Sequence, residues 1–116
     1  MQYVLLIYTP EPTEEVPREV LAAEMAKYNV VTDHMRERGA LIAGEALDSV
    51  TTATTVRVVD GKTLTTDGPF VGMKEAVGGW FILEADNLDA AIEVASRVPA
   101  ARYGGAVEIR PSEVYW

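Results

Sequence analysis

Two short runs, Val4-Leu5-Leu6-Ile7 and Trp80-Phe81-Ile82-Leu83, constrain the fold of this chain more than any other feature. Each reads as a strand: short, aliphatic and aromatic, stopped by Thr9-Pro10 in the first case and opened by Gly78-Gly79 in the second. A sheet with one face in water alternates apolar and polar residues. These runs are apolar at every position, so both of their faces need cover. Each large apolar side chain left in water forgoes roughly 1.5–3 kcal/mol of burial. A permanently bare face is therefore untenable, and a second subunit packed sheet to sheet is the expected cover.

The remaining elements explain why one face is left over. From Arg18 to Arg38 the apolar residues Leu21, Met25, Tyr28, Val31 and Met35 recur at spacings of three and four, and Gly39 stops the run. Asp86 and Asn87 are N-cap residues for a second helix from about Leu88 to Val98, ended by Pro99. Strands are expected over Gln2–Tyr8, Ala40–Ala43, Val77–Glu84 and Ala106–Pro111. Between them, Thr51–Thr66 reads as a hairpin turning at Asp60-Gly61, a dipeptide suited to positive φ. A two-residue loop there pairs Val59 with Lys62, Val58 with Thr63 and Arg57 with Leu64. Extending that ladder sets Asp67 opposite Thr54, on the face of Val56 and Val58. The order is strand–helix–strand, hairpin, strand–helix–strand. Right-handed crossovers turn it into an α+β, ferredoxin-like fold, an antiparallel sheet with both helices on one face and an inserted hairpin.

Composition removes several function classes. At 116 residues the chain is one domain, and its net charge of −8 with scattered cations argues against nucleic acid or an anionic membrane surface as partner. The absence of cysteine excludes disulfides, thiolate metal sites and cysteine nucleophiles. The first residues lack a basic leader, and no apolar run approaches the ~20 residues of a spanning helix. A cytoplasmic protein is expected. His34 and Glu37 share a helical face at metal-ligand spacing, but His34 is the only histidine, so neither a metal nor another cofactor is expected.

The chemistry-bearing segment is Asp67-Gly68-Pro69-Phe70-Val71-Gly72-Met73-Lys74-Glu75, closed by Gly78-Gly79-Trp80. Asp67 has two compatible readings. It is a turn former whose carboxylate accepts the Gly68 and Phe70 amides, and it is a candidate general base walled by Phe70 and Trp80. Lys74 and Glu75 are adjacent, so on an extended segment they point to opposite sides, Lys74 being the candidate to hold a substrate carboxylate. Gly78-Gly79 fits a bulge or a close backbone approach at a strand start. Tyr8, Tyr28, Phe70 and Trp80 are candidate walls of a cleft for a small, partly apolar, anionic ligand. Core packing is the plainer role for the same aromatics.

The tetrad Asp67-Gly68-Pro69-Phe70, with Lys74-Glu75 and Gly78-Gly79-Trp80, resembles the YCII-related proteins, in particular the DGPF-domain branch. Gly44-Glu45-Ala46-Leu47, Thr55-Val56-Arg57-Val58, Asn87-Leu88-Asp89-Ala90-Ala91 and Glu108-Ile109-Arg110-Pro111 extend the likeness over nearly the whole chain. The resemblance implies a dimeric α+β barrel, in agreement with the two-faced strands. That superfamily includes cofactor-free enzymes of isomerase and monooxygenase type. Some members of the branch are encoded beside sigma factors, which keeps a non-enzymatic, interacting protein as the alternative. The chain departs from the pattern at Gly72 and Met73, where the branch has an acid and a threonine. The wider group's His–Asp pair falls near Tyr28 and Val98, so it does not carry over. The function expected is binding or transforming a small anionic or aromatic metabolite, with Asp67 as acid/base group, Lys74 steadying an anion, and Tyr8, Tyr28, Phe70, Glu75 and Trp80 around the ligand.

Overall fold

The computed structural model describes residues 1–10, 17–70 and 75–112. Its elements are β1 (Gln2–Pro10), α1 (Arg18–Glu37), β2 (Leu41–Ala46), a 3-10 turn (Val50–Thr52), β3 (Thr54–Val59), β4 (Lys62–Asp67), β5 (Glu75–Glu84), α2 (Leu88–Ala95), α3 (Pro99–Arg102) and β6 (Ala106–Pro111). The two doubly apolar runs become the central strands of a four-stranded sheet ordered β2-β5-β1-β6, antiparallel throughout. This is the ferredoxin-like plan, with β3 and β4 forming a separate two-stranded sheet.

Alternation along the central strands sets the layers. Tyr3, Leu5 and Ile7 of β1 and Phe81 and Leu83 of β5 are buried against the helices. Val31 and Met35 come down from α1, and Ala91, Val94 and Ala95 from α2, joined by Val98 and Ala100. The small residues on α2 let that helix lie close to the sheet.

Several boundaries differ from the sequence reading, each for a physical reason. α2 ends at Ala95, and Pro99 opens α3 rather than merely closing the helix before it. Proline suits both places, because its fixed φ is helical and its missing N–H costs nothing in a first turn. The second strand lies further along than Ala40–Ala43, at Leu41–Ala46, because β5 runs long enough to pair it as far as Gly79. In α1, Val31 and Met35 are buried, whereas Leu21 and Met25 stay exposed at 48% and 65%. The buried residues of α1 all lie in its second half, and its first ten residues, Arg18 to Lys27, stay exposed.

The hairpin register is as expected: Val59 opposite Lys62, Val58 opposite Thr63, Arg57 opposite Leu64 and Thr54 opposite Asp67. Asp60 and Gly61 both take positive φ, 51° and 75°, the two-residue turn that matches strand twist. The glycine pair also behaves as expected. Ile7 pairs with Gly79 and Tyr8 with Val77, so Gly78 is the extra residue of a bulge.

Candidate functional site

Asp67 is the last residue of β4 and is exposed. Thr55 Oγ1 donates to the Gly68 carbonyl at 2.7 Å, and the Gly68 amide donates to the Ala53 carbonyl at 2.8 Å. That amide, one of the two expected to serve the Asp67 carboxylate, thus continues the hairpin ladder instead. Gly68 takes φ +101°, which only glycine accepts readily, and the chain leaves the hairpin there. Asp67 shares its hairpin face with Thr54, Val56 and Val58 through the register, and both valines are exposed, at 60% and 66%.

Phe70 lies on the other side of this corner. It is 70% exposed, with the Arg57 guanidinium 5.6 Å from its ring centroid, a cation–π distance. Lys74 lies outside the described residues, as do Gly72 and Met73. Of Glu75 only the backbone is described, at the start of β5.

The other aromatics separate by layer. Trp80 pairs with Leu6 on one side and Glu45 on the other, on the sheet face away from the helices. Tyr8 belongs to that same face, since it alternates with buried Ile7. Tyr28 is on the opposite side, packed from α1 against the core. Burial raises its phenol above the ordinary value, Glu24 adds to the rise, and the Ala100 backbone amide pulls against both. Within one protomer, therefore, Tyr8 and Trp80 come together, while Tyr28 and Phe70 stand apart from them and from each other.

The face bearing Tyr8 and Trp80 has the make-up of an interface. Val4, Leu6, Tyr8, Trp80 and Ile82 form its centre, and all are half-buried. Charges stand toward its edges: Glu45 on β2, and Glu108 with Arg110 on β6, paired with each other at 2.8 Å. An apolar centre inside a polar rim is the anatomy of association surfaces.

Reasoning from sequence did not find a second concavity, on the helical side. A groove of about 340 Å³ opens between α1 and the α2–α3 segment, lined by Lys27 and His34 on one side and by Arg97, Arg102 and Tyr103 on the other. Nothing local signals it, because residues some seventy positions apart meet there only through packing of α1 against α3. Among the described residues no group of three or more His, Cys, Asp or Glu side chains comes together to hold a metal ion. No helix among them is long and apolar enough to cross a membrane.

Two comparisons bear on these features. The model of the YCII-related domain matches residues 1–113. An uncharacterized protein of Rhizobium meliloti (strain 1021) is 31% identical over 117 residues, covering 99% of this chain and 94% of that protein.

Proposed function

This chain belongs to the YCII-related domain family, and on that premise we propose that it is a homodimer, of the DGPF type, that binds or transforms a small anionic or aromatic metabolite by acid–base chemistry at Asp67. The observation that carries the reading is the shared face of Asp67, Val56 and Val58 on a hairpin whose apolar side chains lie open. Whatever covers those valines also walls in Asp67. A second copy seated on the open sheet face is the cover nearest to hand, since Val4, Leu6, Trp80 and Ile82 need one as well.

In that assembly Asp67 acts as general base on the ligand. A carboxylate shielded from bulk water moves a proton without competition from solvent. Lys74 is assigned to the anion that forms, and Tyr8 and Trp80 to the apolar part of the ligand. Phe70, on the far side of the hairpin corner, is left without a defined contact in this scheme, as are Tyr28 and Glu75. The reaction class is proton abstraction, of isomerase, lyase or cofactor-free monooxygenase type.

A thermal-shift screen of small carboxylic and aromatic metabolites on the wild-type dimer tests this, followed by turnover assays. Asp67→Asn in an intact dimer should lower turnover of a substrate so found by about 10²- to 10⁴-fold. Unchanged turnover removes Asp67 as base. A screen without any ligand, together with a hairpin face still open in the dimer, favours the alternative of a protein that docks a macromolecular partner.

A further inference from the structure

We infer that the groove between α1 and the α2–α3 segment is a second ligand site, taking a small molecule with one phosphate or carboxylate group on a flat apolar body. The chain carries a net charge of −8 with only ten Lys and Arg residues, yet three of them, Lys27, Arg97 and Arg102, line this one groove, and among the described residues no acid does. Such a concentration of cations against the overall charge focuses anions toward the groove.

Each cation is held in place. Lys27 Nζ sits 4.4 Å from the Tyr103 ring centroid. Arg97 is braced from behind by Glu93 at 3.2 Å, and Arg102 Nε donates to the Ser96 carbonyl at 2.9 Å. Among the described residues Glu93 is the acid in ion-pair contact with this set, and it also faces Arg38, at 4.0 Å. Among the described residues the terminal nitrogens of Arg102 and the three protons of Lys27 have no hydrogen-bond acceptor, which leaves them for a ligand.

His34 lines the groove as well. The groove also has an apolar side. Val31 and Pro99 are buried at its base, while Val30 and Tyr103 are exposed at 70% and 67%. The volume, about 340 Å³, is at the lower end of small-molecule sites. Because the groove is on the helical face, a partner on the open sheet face leaves it accessible, so this site is separate from the one around Asp67.

Backbone-amide NMR titration of the full chain with phenyl phosphate, benzoate and the neutral benzamide tests the assignment. Both anions should produce saturable shifts confined to residues 27–34 and 97–103, and benzamide none. Phosphate and carboxylate are distinguished by which binds more tightly. Lys27→Gln, on the exposed side of α1, should weaken both anions about tenfold, since a charged contact is lost. Asp67→Asn should change neither. Absence of saturation at millimolar concentration, equal response to benzamide, or equal affinity in Lys27→Gln each overturns the site.

Discussion

Gly79 shows how much a single position decides. A Cβ there would lie 2.9 Å from the Glu45 carbonyl oxygen, which is fixed in the β2–β5 ladder. Gly79→Ala should therefore cost about 1–3 kcal/mol, seen as a lower urea midpoint with unchanged slope. Tyr28 makes a prediction about pH. Its folded phenol is raised, chiefly by burial, so the folded state keeps a proton that the unfolded chain gives up near pH ~10. The stability this supplies is full below that pH and is lost as pH rises through the raised folded value. Denaturation midpoints of the wild type should fall more steeply over about pH 9 to 11 than those of Tyr28→Phe, which has nothing to ionise there. Equal slopes would contradict the assignment. At this scale the sequence was legible where backbone geometry demands a residue type, as at Asp60-Gly61 and Gly78. It was mute about Lys27, Arg97 and Arg102, whose meeting depends on how whole helices dock.

Elements were read best where one local rule suffices. Asn87 caps α2, its side-chain oxygen accepting the Ala90 amide at 2.9 Å. Asn87→Ala should cost about 1 kcal/mol in chemical denaturation, against little for Asn87→Gly. The β3–β4 hairpin followed from its turn residues, and its register carried Asp67 to a known partner, Thr54. α3 was not legible, since Pro99 both ends and begins helical turns. Nor was the exposure of the first half of α1, because apolar spacing in Leu21 and Met25 marks a helix face without saying what packs against it. The expected cleft of four aromatics divides for a similar reason. Strand alternation sends Tyr8 to one side of the sheet, whereas helix packing holds Tyr28 on the other.

The whole molecule is a slab, 46 × 43 × 19 Å, with a radius of gyration of 16.0 Å. A compact domain of this length has about 13 Å. The excess reflects a flat shape that offers one broad apolar sheet face and an open hairpin. Two strands apolar on both faces anticipated that surface, and the structure locates its centre at Leu6 and Trp80, directly paired across β1 and β5. Analytical ultracentrifugation at micromolar concentration tests the central claim, that a second copy covers this face and completes the Asp67 site. The wild type should sediment at about 25 kDa, twice the 12.6 kDa chain mass, and Leu6→Lys should sediment as a folded monomer. A wild type that sediments as a 12.6 kDa monomer contradicts the claim.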